Sequence, residues 1–351
     1  MRKTGILAIL LLVIVSFGIA GGCNNNSGNN GGGDPPLDGS EGFDLELAIE
    51  LGELSLVAYE QRLQCISGGK GAITVPSPYK LEEVIFEEVS SLLNDTCADD
   101  DGVIPIAFIA TEGDNIYVAF RGTANVSDDL SDIAAIQGPY SFVPNGGNVS
   151  LGFLDVYGFD DTDPIESTIL TKLDELTMTG NFKNLYITGH SLGAALAFLA
   201  FPDFSQNVGM IDSVTMYNFA GPAVGDSQFV TTYEGEFATN RISFRIVNTN
   251  DLVPMLPPLG LDCLLFSYKH VDGEVTITFG TPLPALPDFA ADDCDLLTIG
   301  EQLATYGINN MDDILEDHSM CTYFSTLCNM GSDPGTCSQR AIGCDDGNAN
   351  P

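Results

Sequence analysis

Between Phe43 and Tyr59 the apolar residues Leu45, Leu47, Leu51, Leu54, Val57 and Ala58 recur at helical spacing, so an amphipathic helix opens the folded part of the chain. The period then shortens. IPIAFIATEGDNIYVAFRGT holds two β-rich runs, residues 106–110 and 116–120, separated by the turn formers of residues 112–115. A helix over residues 164–177 follows, then a strand over 185–188, the apolar helix AALAFLAF, and strands over 214–219 and 243–247. Helices alternating with strands predict an α/β architecture: a sheet with a largely parallel centre and helices on both faces. No internal repeat is evident.

The first residues follow a different pattern. In MRKTGILAILLLVIVSFGIAGGC, Arg2 and Lys3 precede an uncharged apolar run over residues 6–20 and then small residues, the layout of an export signal over residues 1–22. That run is short for a membrane span, which needs about 20 residues. IAGGC resembles the lipobox of bacterial lipoproteins, which implies acylation of Cys23 and membrane association. The polar, glycine-rich stretch NNNSGNNGGGDPPLDGS lacks apolar periodicity, so residues 23–40 read as a lipid-anchored flexible linker and residues 41–351 as one domain.

Cysteine and charge narrow the function classes. Assigning Cys23 to lipid leaves eight of the nine cysteines, a number that can pair fully into disulfides, and the chain is cysteine-rich from about residue 260. With no C-x₂-C pair, three histidines and no EF-hand loop, no metal site is expected. A net charge of −37 excludes nucleic acid as a partner, because tracking phosphates needs basic density, and reads otherwise as a solubility feature.

Candidate chemistry centres on YITGHSLGAA, residues 186–195, where Ser191 stands between Gly189 and Gly193 as a strand gives way to a helix. With 38 glycines in the chain, the pentapeptide alone decides little between a capped turn and a G-x-S-x-G nucleophile elbow. An elbow serine needs a base, an acid to orient it and donors for an oxyanion. In α/β-hydrolases the order is Ser, then Asp or Glu, then His, which leaves His270 and His318 as bases, while His190 lies inside the elbow. For the acid, Asp251 follows the β-rich run of RIVNTNDLVPMLPP on a loop punctuated by Pro254, Pro257 and Pro258; taken alone it also fits an Asx turn.

Seven ordered segments now resemble the fungal-type, or class 3, lipase family of α/β-hydrolases: AFRGT, LGFLDVY, ITGHSLGAALA, NFAGPAVGD, NTNDLVPMLPP, YKHVDGEV and DHSMCTY. The resemblance implies an α/β-hydrolase fold with no cofactor, Ser191 as nucleophile, Asp251 as orienting acid and His318 as base. It also implies an oxyanion hole from the backbone N–H groups of Thr123 and Leu192, with Arg121 structural, and fatty-acyl esters of glycerides as substrate. The competing readings are a carboxylesterase of small soluble or cell-wall esters and a catalytically silent surface-binding protein. Ser150 departs from the family, which usually has His before GF, and the chain has no Trp. ANVSDDLSDIAAIQG reads as a short helix capped by Ser127 that buries Leu130, Ile133 and Ala134, either a small acidic lid or a surface helix. Local pattern separates the two histidines. FSYKHVDGEVTITF suggests a hairpin turning at Asp272–Gly273, which would make His270 structural, whereas His318 ends a helix-like run and enters a segment that reads as a loop.

Overall fold

The computed structural model describes residues 41–66, 72–88, 103–123, 136–158, 164–235, 240–256, 268–280, 282, 311–340 and 344. The export segment, Cys23, the linker over residues 24–40 and the candidate lid residues Ser127, Leu130, Ile133 and Ala134 lie outside the described residues.

The opening helix α1 (Leu45–Val57) is capped by Asp44, whose carboxylate accepts the N–H groups of Glu46 and Leu47 at 3.0 and 3.2 Å, and α2 (Glu60–Ile66) follows it. Three strands then run antiparallel: β1 (Lys80–Glu88), β2 (Val103–Glu112) and β3 (Asn115–Phe120). A small ladder of β4 (Gln137–Pro139) and β5 (Asn148–Ser150) leads into α3 (Leu151–Tyr157) and α4 (Ile165–Thr179). The next strands, β6 (Asn184–His190), β7 (Ser213–Phe219), β8 (Arg241–Asn248) and β9 (Glu274–Ile277), add in parallel. Between them lie α5 (Leu192–Asn207) and α6 (Ser227–Gly235), and after them come α7 (Met311–His318), α8 (Met320–Met330) and α9 (Pro334–Ser338). The main sheet has the order β1-β2-β3-β6-β7-β8-β9, so it is mostly parallel with an antiparallel edge.

Side-chain alternation along the strands builds two cores. Ile116, Val118 and Phe120 of β3, Leu185 and Ile187 of β6, and Val214 and Met216 of β7 face α3, α4 and α5. Tyr117, Ala119, Tyr217 and Phe219 face the opposite way, onto α1 and α8. Helix α5 is buried almost all round, and its alanines at 194, 195, 197 and 200 let it lie close against the central strands.

Three local expectations differ from the structure. Strand β1 was not signalled, because KLEEVIFEE is an edge strand on which only Ile85 is fully buried, and its charges mask the alternation. The 268–277 hairpin does not form. Gly273 turns with φ +89°, but β9 pairs parallel with β8, and Lys269 bridges to Gly225. The free edge of β8 supplies the partners: the Arg245 N–H donates to the Gly273 carbonyl at 3.0 Å. Nor is the segment after His318 a loop, since Ser319 alone separates α7 from α8.

The C-terminal helices are cross-linked. Disulfides join Cys321 to Cys344 and Cys328 to Cys337, and Arg340 pairs with the buried Glu53 of α1. The expectation of four bridges rests for the rest on Cys97, Cys263 and Cys294, outside the described residues, and on Cys65, whose side chain is not described either.

Candidate active site

Strand β6 ends at His190, and the chain reverses at Ser191 with φ +59° and ψ −122°, a conformation that costs a non-glycine residue strain. The two glycines make the reversal possible. A Cβ at Gly189 would collide with the Gly193 carbonyl, and one at Gly193 would collide with the Phe120 carbonyl. The Ser191 N–H donates to Phe219 O at 3.0 Å, and its own carbonyl accepts the N–H groups of Ala194 and Ala195, starting α5. The serine therefore sits at the N-terminus of the central helix, where unpaired N–H groups and the helix dipole favour negative charge.

The other two residues arrive from later elements. Beyond β8 the chain turns, with the Asp251 N–H donating to Asn248 O at 3.0 Å, and Asp251 is fully buried. Its Oδ1 accepts the Val253 N–H at 2.9 Å, and its Oδ2 accepts the Tyr323 hydroxyl at 2.9 Å. His318, the last residue of α7, places Nδ1 at 2.9 Å from Asp251 Oδ2 and Nε2 at 2.8 Å from Ser191 Oγ. Since the carboxylate only accepts, Nδ1 carries the proton and Nε2 presents its lone pair to the serine hydroxyl. Asn248 ties the acid turn to the histidine helix, donating from Nδ2 to Asp317 O at 3.0 Å.

Leu192 follows the serine directly, and Gly122, the residue before Thr123, approaches it. The backbone of residues 121–123 leaves β3 beside the elbow, close enough that a Cβ on Gly122 would lie 3.2 Å from Ser191 Cβ. Leu192 is the first residue of α5. Arg121 is buried beneath this strand end, with Nε donating to Gly122 O at 3.2 Å. His270 lies apart from the serine. Its Nε2 donates to Pro254 O at 2.5 Å, and burial, with the Arg245 charge second, pushes its pKa down to about 3. Among the described residues, no group of three His, Cys, Asp or Glu side chains converges to hold a metal ion.

Sequence reasoning missed three contributors: Tyr59, Asn248 and Tyr323. It saw His190 only as part of the elbow. His190 is buried, with Nδ1 at 2.9 Å from Tyr59 Oη and Nε2 at 2.7 Å from His318 O.

A mostly parallel sheet with helices on both faces and a strained strand-to-helix serine at its centre defines an α/β-hydrolase. Residues 117–261 match the family described as Lipase (class 3). The chain is 30% identical over 205 residues to a lipase of Rhizomucor miehei, covering 55% of this chain and 52% of that one. It is also 30% identical over 208 residues to the secreted mono- and diacylglycerol lipase A of Penicillium cyclopium, covering 52% of this chain and 63% of the relative. It thus spans about half to two thirds of the length of these relatives. The solved structure of the Rhizomucor miehei lipase–propeptide complex is similar with a TM-score of 0.50 and 25% identity, covering 73% of this chain and 76% of that one. By these matches the chain is similar to the fungal-type, class 3 lipases, and it shares their α/β-hydrolase fold. The two disulfides agree with an exported protein.

Proposed function

We propose that the protein is a serine ester hydrolase that cleaves fatty-acyl esters of glycerides through an acyl-enzyme. The observation that carries this reading is the unbroken hydrogen-bonded chain Ser191–His318–Asp251 at an elbow backed by a helix N-terminus. Its relatives, named as lipases, supply the substrate class.

In this mechanism His318 Nε2 takes the proton of Ser191 Oγ as the oxygen attacks the ester carbonyl, and Asp251 stabilises the imidazolium that forms. The tetrahedral oxyanion is met by the backbone N–H groups of Thr123 and Leu192. His318 then returns the proton to the leaving glyceride alcohol as the C–O bond breaks, leaving Ser191 acylated. Water, deprotonated by His318, attacks the acyl-enzyme; the fatty acid leaves and Ser191 recovers its proton. Three donors face the Asp251 carboxylate and fix its orientation towards the imidazole: the Val253 N–H, His318 Nδ1–H and the Tyr323 hydroxyl.

The proposal includes export through residues 1–22 and acylation of Cys23, on the sequence pattern alone. Its test is a panel of p-nitrophenyl esters of rising chain length and emulsified glycerides, assayed with the wild type and Ser191→Ala. Turnover of long-chain esters that vanishes in the variant supports it. Turnover confined to short soluble esters would mark a carboxylesterase, and turnover indifferent to Ser191 would end the serine mechanism.

A further inference from the structure

We propose that Tyr59 and His190 are positioning residues that hold the His318 base and the 121–123 strand end in register with the elbow, a role that rests on the serine-hydrolase reading above. The parts come from distant segments: Tyr59 between α1 and α2, His190 at the end of β6, and His318 at the end of α7. They meet in one buried line. His190 Nε2 lies 2.7 Å from the His318 carbonyl oxygen, and Nδ1 lies 2.9 Å from the Tyr59 hydroxyl.

Hydrogen-bond chemistry sets the direction of every donor in the line. A carbonyl oxygen can only accept, so Nε2 bears the proton. In a neutral ring Nδ1 is then the acceptor, and the Tyr59 hydroxyl donates to it. The Tyr59 hydroxyl also lies against the backbone of Gly122. A Cβ on Gly122 would collide with that hydroxyl, so glycine is what lets the strand end come this close. The order Tyr59 O–H, His190 Nε2–H, His318 O runs from a hydroxyl packed against Gly122, beside Thr123, to the backbone of the base.

The line works only while His190 stays neutral in this tautomer. Burial, reinforced by the nearby His318 ring, holds its pKa well below the ordinary histidine range. The two rings lie 4.7 Å apart, centroid to centroid, so a charged His190 would oppose the imidazolium that His318 becomes in each cycle. Burial likewise keeps the Tyr59 hydroxyl protonated, as a donor. Two adjacent histidines thereby divide their duties: His318 exchanges protons, and His190 exchanges none.

Paired substitutions separate positioning from packing. The amide nitrogen of glutamine can occupy the place of Nε2, whereas asparagine reaches only the place of Nδ1. With His190→Gln, kcat is expected to stay within about tenfold of wild type, and with His190→Asn to fall about 100-fold at unchanged KM, the scale of a misplaced catalytic group. Histidine ¹⁵N spectra of the full protein should show His190 as the neutral Nε2–H tautomer between about pH 5 and 9, and Tyr59→Phe should keep that tautomer but shift the Nδ1 resonance, which loses its hydrogen-bond donor. Equal losses in the two His190 variants, a folded His190→Asn enzyme at wild-type kcat, or a His190 Nδ1 resonance unmoved in Tyr59→Phe would overturn the proposal. A wild type with no Ser191-dependent turnover would overturn the hydrolase reading instead, and that control is independent of the variants.

Discussion

The Tyr323 hydroxyl donates to Asp251 Oδ2 at 2.9 Å while accepting the Asn248 N–H at 2.8 Å, so one buried oxygen braces both the carboxylate and the turn that carries it. Burial and the charge of Asp251 push the phenol pKa far up, which keeps it a donor. Tyr323→Phe strips one of the carboxylate's donors and leaves a buried N–H without its acceptor. A hydrogen bond to a charged group contributes about 1.5–3 kcal/mol, and an unsatisfied buried donor costs about 1–3 kcal/mol. The variant is expected to melt at lower temperature and to lose about tenfold in kcat, read by calorimetry and ester turnover. Wild-type values for both would remove Tyr323 from the site.

Alanine substitution tests the residue roles. His318→Ala and Ser191→Ala are each expected to lower kcat by about 10³-fold or more with the fold retained, and Asp251→Ala to approach that loss. His270→Ala should keep kcat within about tenfold, because its Nε2 is spent on Pro254 O, away from the serine. A dead but folded His270 variant beside an active His318 variant would reverse the assignment.

Ser191, Asp251 and His318 could be singled out from sequence because each has a local setting with chemical meaning: a serine between glycines, a carboxylate after a strand, a histidine at a helix end. Their supporting residues carry no such setting. Tyr59 meets His190 across 131 positions and Tyr323 meets Asp251 across 72, so only the closed fold joins them. Periodicity disclosed the central strands, where both faces are buried, and missed β1, where charged side chains cover the exposed face. The reading of His270 in a hairpin failed for a related reason. Local turn chemistry at Gly273 was visible, but the open edge of β8 that captures β9 was not.

The disulfide Cys321–Cys344 closes a 23-residue separation and starts three positions after His318, on the helix that carries Tyr323. Chain-entropy arguments give such a loop about 3 kcal/mol. Reduction of the native protein is therefore expected to lower the melting temperature and kcat together, and Cys321→Ser with Cys344→Ser to reproduce both effects without reductant. Retained activity in a reduced sample verified by thiol titration would show that α8 keeps its place without the cross-link.

A carboxyl pair far from the elbow should give the protein a measurable pH dependence. Asp203 of α5 is fully buried; its oxygens accept the Tyr157 hydroxyl and the Asn207 amide, both at 2.6 Å, and its charge acts on Glu166 at the start of α4. Burial, with the Asp203 charge second, pushes the Glu166 pKa up to about 7 from 4.5. Tyr140 and Tyr157 also face the pair, and burial keeps both neutral. A carboxyl that holds its proton longer when folded stabilises the fold fully below its unfolded value. That contribution is lost as the pH rises from about 4.5 through about 7, where the unfolded chain has already released its proton. Glu166→Gln keeps a neutral side chain that can still donate to Asp203, so its stability should fall less than that of the wild type over this window. The difference between the two chemical-denaturation curves across pH isolates the pair from the rest of the acidic chain, and a difference that does not vary with pH would show that Glu166 and Asp203 do not share a proton.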